Sequence, residues 1–294
     1  MYWTCLGSNC LSSWRQWLVR EPPRWQSRSA RPGGLGSLPC AQLNADEIRS
    51  ALQTIRGKAS RPIDVVSFHF GLPARELLDR IKATKARMIG SATTVREARW
   101  LESHGCDAVI AMGLEAGGHR GNFLSDDMAR QVGTFALVPQ VDAIKIPVIA
   151  AGGIADGRGI VAALALGASA VQIGTAYLFC PEARVPSLHL KALTNAADDD
   201  TVITNVFTGR PARGIVNRLM AEIGPMTSVA PHFPLASSAI APLRAKSEPA
   251  GSSDFMNLWS GQAARLARRR VPADELTRAL AAEALTRLSG QLGS

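Results

Sequence analysis

No stretch of the chain holds about 18 consecutive apolar residues, the length a helix needs to cross a bilayer, so no membrane span is expected. Cysteine is scarce. Cys5, Cys10, Cys40, Cys106 and Cys180 form no CxxC pair and stand in no His/Cys ligand spacing, which excludes a disulfide framework and a zinc site. The GxGxxG fingerprint is absent, and with it a Rossmann dinucleotide domain. No Ser-His-Asp set and no metal cluster can be traced. Acidic residues are outnumbered, 24 against 33 Lys and Arg, for a net charge of +9. Much of that excess sits at the ends. Arg15, Arg20, Arg24, Arg28 and Arg31 face only Glu21, and Arg265, Arg268, Arg269 and Arg270 cluster near the other terminus. Basic ends of this kind are solvated tails and helix faces, so no nucleic-acid partner is expected. Cysteine usage of this kind belongs to a reducing compartment, so a cytoplasmic protein is expected. Nothing in the sequence sets an oligomeric state.

The 294 residues suit one (β/α) barrel of roughly 250 residues with additions. Residues 1–32 stand apart. They hold four of the six tryptophans and show no period of 2 or 3.6. The segment is Arg- and Ser-rich and acid-poor, as transit peptides are. Its lack of an amphipathic pattern favours instead an aberrant start, an atypical and disordered segment.

From Gly33 onward short apolar runs alternate with helical patterns. Strands are expected at Asp64–Phe70, Arg87–Gly90, Ala108–Ala111, Pro147–Ala150 and Ala170–Ile173. Helices are expected at Arg75–Ala83, Phe135–Ile144 and Arg158–Leu166. Asn44 with Glu47, and Thr94 with Glu97, read as capping boxes opening two more. Strand starts fall roughly 22 residues apart, which means βαβ units and a parallel sheet. One gap is longer, from Ala108 to Pro147, and it contains a polar glycine-rich loop. Residues 225–253, rich in Pro, Ala and Ser, read as a cap loop. Residues 254–268 and 273–289 read as helices, the last with Leu276, Leu280 and Leu285 on one packing face.

Barrel enzymes place their chemistry at the C-terminal ends of the strands. Two such ends carry glycine: Ala151-Gly152-Gly153-Ile154 and Gln172-Ile173-Gly174-Thr175. Glycine lets backbone N–H groups approach a phosphate, so these two turns, one βα unit apart, read as a phosphate site. The long loop holds Glu115-Ala116-Gly117-Gly118-His119-Arg120-Gly121. An imidazole flanked by glycines at a strand end is a natural general base. His69 alternates within a strand and could face either side. His104 lies at a helix end, and His189 and His232 belong to no constellation.

Together these segments resemble the nitronate monooxygenase family, formerly called 2-nitropropane dioxygenases. The resemblance covers most of residues 33–290. It rests on Gly33–Leu38, Ser67–Gly71, Glu115–Gly121, Ala151–Ile154, Gln172–Thr175 and Trp259-Ser260-Gly261-Gln262. It implies a flavin oxidoreductase on a TIM-type (β/α)8 barrel with a C-terminal helical cap, using FMN. Such an enzyme oxidises alkyl nitronates and nitroalkanes to a carbonyl compound and nitrite with dioxygen. His119 would be the catalytic base. Gly117, Gly153, Gln172, Ile173, Gly174 and Thr175 would hold FMN, the last four near its phosphate.

The departures from the family pattern imply an incomplete barrel. Nothing in residues 1–32 matches the Gln-Ala-Pro-Met type motif of the family's first strand. Arg61-Pro62-Ile63 runs straight into the next strand where the family inserts an asparagine-bearing strand. Met112 stands where the family usually has glutamine. The expected organisation is therefore an atypical segment at 1–32, an FMN-type barrel at 33–224 and a cap with terminal helices at 225–294. A flavin-dependent enoyl-thioester reductase and a non-catalytic barrel remnant are the competing readings.

Overall fold

The computed structural model describes residues 4–6, 46, 50, 53, 65–141 and 144–291. The motif at Gly33–Leu38, the Asn44/Glu47 capping box and the Arg61–Ile63 junction lie outside the described residues. Asp46, Ser50 and Gln53 are helical. Within the first segment Thr4–Leu6 forms a short strand, β1.

Parallel strands follow at Val65–Phe68 (β2), Arg87–Ala92 (β3), Ala108–Met112 (β4), Val148–Ala151 (β6) and Ala170–Ile173 (β7). Helices connect them at Arg75–Ala83 (α1), Val95–Ser103 (α2), Thr134–Val141 (α3) and Gly157–Ala165 (α4). The sheet order is β1-β7-β6-β4-β3-β2. It curls as half of a (β/α) barrel and, among the described residues, does not close into a full one. β1 runs antiparallel along β7, whereas a complete barrel would place a parallel strand there.

The strands read as continuous apolar runs because both faces are covered. Val109, Ala111, Val148, Ala150, Val171 and Ile173 point to the helix side, with Leu101, Leu137, Leu276 and Leu280 in the same core. Ile89, Ala108, Ile110, Ile149 and Ala151 form a second cluster on the other face. The register pairs Ala151 with Gln172, so the period-2 alternation turns Gln172 to the inner face and Ile173 to the helix side.

A second sheet was not legible as such. The glycine-rich loop contains a two-residue strand, Gly118–His119 (β5), which pairs antiparallel with Ala212–Ile215 (β9), itself paired with Thr201–Thr204 (β8). Ser187–Asn195 (α5) precedes it, and Arg218–Ile223 (α6) and Ala236–Ser247 (α7) follow. Val206, Phe207, Leu219, Met220 and Ile240 give this cap its own small core.

Three expectations need correction. Residues 225–253 are not all loop, since α7 lies within them. Residues 254–268 are not a helix. Only Ala264–Leu266 make a 3-10 turn, while Ile215 N–H donates to Leu258 O and Gly214 bridges to Trp259. The final helix, Ala273–Gln291 (α8), buries Leu276, Leu280 and Ala284 and leaves Leu285 60% exposed. Residue 284, four positions after Leu280, stays on its face. That face packs on α4 at Gly157, where a Cβ would stand 2.5 Å from Glu283 Cβ. Among the described residues no helix is long and apolar enough to cross a membrane.

Thr94 caps α2 as its sequence implies, accepting from Glu97 N–H at 3.2 Å. Glu97 does not return the bond to Thr94. Its carboxylate, 1% exposed, accepts from Thr93 N–H (2.7 Å), Thr93 Oγ1 (2.7 Å), Phe123 N–H (2.7 Å) and Leu124 N–H (3.1 Å). It thus pins residues 123–124 to the end of β3. Removing it leaves three buried backbone donors without an acceptor, so Glu97→Ala is expected to cost about 3–5 kcal/mol. Urea unfolding measures this, and a loss below about 1 kcal/mol contradicts the assignment.

Candidate active site

The ends of β4, β6 and β7 open into one cavity of about 230 Å³. Its wall contains Gly117, Gly118, Gly152, Gly153, Gln172, Gly174 and Thr175, closed from the cap side by Trp259, Ser260 and Gly261. The two glycine turns read as a phosphate site do lie side by side, because β6 and β7 are paired neighbours. Gly153 takes φ +70°, where a side chain would be strained. Gly117 is needed for another reason. A Cβ there would lie 2.4 Å from Gly261 N, so only glycine lets residues 260–261 close the wall.

The cofactor residues inferred from sequence divide in two. Gly117, Gly153, Gln172, Gly174 and Thr175 line the cavity. Ile173 does not. It is 1% exposed and packed on the helix side. Gln172 is 6% exposed, and its amide has no hydrogen-bond partner among the described residues, so its polar atoms face the cavity unmatched. Sequence reasoning missed Arg184 and His189, which also line the wall. His189 Nε2 donates to Trp259 O at 3.0 Å. Neither carried a motif, since both are brought in by residues 181–195 folding across the strand ends.

Glu115 belongs to the scaffold of the wall. Its carboxylate accepts from Thr134 N–H and Oγ1 (2.8 and 2.9 Å), which caps the N-terminus of α3 where negative charge is favoured. Arg213 reaches from β9 to Leu114 O and Thr201 O, both at 3.0 Å, and ties the same loop to the second sheet.

His119 stands one residue past Gly118, outside the cavity lining. Its ring lies 5.6 Å from Trp259, which does line the cavity, and 5.9 Å from both Phe70 and Phe233. Burial in this aromatic box, then the nearby His69 and Arg210, lower its pKa to about 4. The ring is therefore neutral at physiological pH. Its Nε2 is 2.9 Å from Thr208 Oγ1, and Thr208 can give its one hydroxyl proton to Arg210 O at 3.3 Å. The arrangement that makes both contacts hydrogen bonds puts the imidazole proton on Nε2. Nδ1 is then left as a bare lone pair.

His69, ambiguous in sequence, faces the same place. Its Nε2 donates to His119 O (3.1 Å), so its Nδ1 accepts from Ser91 Oγ (3.1 Å). Burial foremost, with Arg120 and Arg210, holds its pKa to about 4. His104 stacks on Trp100 at the end of α2 and takes no part. Cys106 and Cys180 offer no nucleophile. Burial and a neighbouring acid raise Cys106 to about 11 and Cys180 to about 12. Among the described residues no group of His, Cys, Asp or Glu could hold a metal.

Residues 59–283 match the family model for nitronate monooxygenase. The chain belongs to the nitronate monooxygenase family. A Staphylococcus saprophyticus relative named probable nitronate monooxygenase is 44% identical over 227 residues, covering 76% of this chain and 64% of the relative. A Staphylococcus aureus relative of the same name is 43% identical over 209 residues, covering 70% of this chain. The chain spans only 59% of that relative's length. Among solved structures, nitroalkane oxidase from Streptomyces ansochromogenes is 42% identical with TM-score 0.73, covering 84% of this chain and 70% of that one. FabK from Thermotoga maritima is 28% identical with TM-score 0.78, covering 96% and 98%.

The two desolvated histidines give stability a pH dependence. Their folded pKa values lie near 4, below about 6.5 in the unfolded chain, so the unfolded state binds protons first as pH falls. Stability is full above about pH 6.5 and declines down to about pH 4, by on the order of 3 kcal/mol for each histidine taken alone. Denaturant unfolding across this range should show the decline. His119→Gln should remove roughly half of it, and an unchanged slope would count against the buried, neutral assignment.

Proposed function

We propose that this site serves the FMN-dependent oxidation of alkyl nitronates and nitroalkanes to a carbonyl compound and nitrite, with dioxygen. The observation that carries the reading is His119, neutral and fixed as one tautomer in an aromatic box, next to a glycine-walled cavity. Family membership supports it.

The cavity suits one end of FMN. At about 230 Å³ it is smaller than the roughly 300–1,000 Å³ of pockets that enclose a whole ligand. Its glycine turns and the unmatched Gln172 amide suit the phosphate-bearing end. Gly153, Gly174 and Thr175 would approach the phosphate, with Gln172 and Gly117 beside it. Ile173 would serve only by holding β7 in place. Bound flavin would accept the electrons taken from the substrate. His119 would accept the proton on the carbon next to the nitro group. The C–H bond breaks, Nδ1–H forms, and the electron pair passes into the nitro group to give the nitronate. Trp259, Phe70 and Phe233 would keep water away.

His119→Ala should lower turnover of neutral nitroalkanes by about 10²–10⁴-fold and spare preformed nitronates, which need no deprotonation. Equal losses on both substrates would remove the base assignment.

Cofactor retention should be weak. Met112 lacks the amide of the usual glutamine and is 1% exposed, away from the cavity wall. Each hydrogen bond lost to the flavin ring costs about 0.5–1.5 kcal/mol, so three or four losses weaken binding by several powers of ten. The protein should leave gel filtration colourless and turn over nitronates only with FMN supplied well above micromolar. Near-stoichiometric yellow protein contradicts this, and inert protein at saturating FMN favours a non-catalytic remnant. The FabK likeness favours a second reading, a flavin-dependent enoyl-thioester reductase. Consumption of a nicotinamide cofactor without nitronate would mark it.

A further inference from the structure

We propose that Arg210 is the residue that recognises the substrate's negative charge, holding the two oxygens of an alkyl nitronate beside His119. The inference rests on the nitronate reading and adds to it the group that selects an anionic head with an apolar tail.

The guanidinium is placed by the same turn that orients His119. Thr208 contacts His119 Nε2, and Arg210 N–H donates back to Thr208 Oγ1 at 3.4 Å. Gly209 between them has φ +85°, and a Cβ there would lie 2.2 Å from Pro231 O. Only glycine lets this turn tuck beneath the cap. Arg210 then lies over Phe70, its Cζ 4.0 Å from the ring centroid, and the Phe70 ring stands 5.9 Å from that of His119. Phe70 adopts φ +70°, a strained conformation for an aromatic residue. Strain of this kind is kept where surrounding structure and function require it.

The guanidinium is also undersupplied with partners. Of its five N–H bonds, one is used, from Nη2 to Asn122 O at 2.5 Å. Its Nε is buried and has no partner among the described residues. No ion pair of the described residues includes Arg210. The carboxylates whose charge it feels, Asp126 and Glu97, are committed elsewhere. Glu97 accepts four hydrogen bonds, and Asp126 accepts from Asn122 Nδ2. A half-buried cation with free donors and no ion-paired carboxylate among the described residues is a receptor for an anion. A planar group with two oxygens matches its fork. Phe70, Phe233 and Trp259 around His119 leave only apolar surface for the rest of the substrate. Phe233 is 47% exposed and marks the solvent side.

Butanoate has the charge and two-oxygen head of a nitronate, and its binding needs neither flavin nor turnover. Calorimetric titration should show wild-type protein binding butanoate. Arg210→Gln should bind it at least tenfold more weakly, and Arg210→Lys should fall between. Butanamide, with no charge, should not distinguish the three. Absence of butanoate binding to wild type, or equal binding by Arg210→Gln, overturns the proposal. If the variants do not fold, phenylglyoxal modification of wild type with peptide mapping decides. Butanoate should slow modification of Arg210 and leave that of Arg244 unchanged, and an unchanged rate at Arg210 overturns it. A chain that binds butanoate through Arg210 yet oxidises no nitronate sinks the oxidation reading alone. A chain that oxidises nitronates but binds butanoate equally without Arg210 sinks this one alone.

Discussion

Arg120 holds a full positive charge where neither water nor a carboxylate touches it, at 0% exposure. Burying an ion is costly unless every donor is met. Here Nη1 donates to Gly113 O at 2.8 Å, Nη2 to Met112 O at 3.1 Å, and Nε and Nη2 to Gln131 Oε1 at 3.1 and 2.9 Å. The two carbonyls mark the point where β4 leaves the sheet. Gln131 Nε2 donates to Thr93 Oγ1, which donates to Glu97, whose other oxygen accepts from residues 123 and 124. A buried cation and a buried anion are thus joined through two neutral side chains. Because the side chains are bonded to one another and to the backbone at Met112, Gly113, Phe123 and Leu124, the network holds the loop after β4 as one unit. Burial lowers the Arg120 pKa to about 10, which still leaves it charged at neutral pH.

Burial sets the electrostatics of the candidate site, and that unit adds to it through Arg120. His119 and Arg120 are consecutive, so anchoring the guanidinium sends the preceding imidazole to the opposite side, into the aromatic box. Arg120 and Arg210 both act against protonation of His69. His69 and Arg210 do the same to His119. With its pKa near 4, His119 is in the proton-accepting form at neutral pH, as the proposed role requires, and burial makes its conjugate acid unfavourable. An anion formed beside it changes the balance, because the positive surroundings that oppose imidazolium favour the negative product. In the proposed reaction, desolvation would tie proton removal to the arrival of negative charge.

The strands β3, β4, β6 and β7 were legible because a strand covered on both faces must be apolar throughout, and their runs of Val, Ile and Ala have no other use. α1 and α4 were legible to within a residue for the matching reason, a clear period of 3.6 between those runs. The second sheet was not. β5 has two residues, and β9 carries the buried Arg213, whose charge breaks the apolar pattern and is met by Leu114 O, 99 residues away, and by Thr201 on the neighbouring β8. Residues 254–268 show a helical period yet form turns around a short bridge, since Leu258 and Trp259 bond to β9. For the site, the glycine turns could be read locally. Arg184, His189, Thr208 and Arg210 could not, because each gains its meaning from a contact across at least 60 residues or from the shape of the cap.

The site has two compartments divided by Trp259. On one side lies the glycine-walled cavity, and on the other the box around His119, with Gly118 running between them. A ligand seated at the glycine turns must pass along Gly117 and Gly118 to reach the imidazole. Gly118 takes φ +72°, so a side chain there would be strained as well as obstructive. The wall opposite is closed by Trp259, Ser260 and Gly261, whose approach depends on Gly117 lacking a Cβ. In the proposed function, binding and proton transfer would share one piece of backbone. Gly117 and Gly118 shape the cavity, His119 follows them, and Arg120 locks all three to the end of β4. Because this clamp joins β4, the segment around Gln131 and the end of β3, it lies on the opposite side of the sheet from the edge where β1 meets β7. The β1 edge meets β7 at Gln172 in the cavity wall, whereas Arg120, next to His119, is anchored at the end of β4.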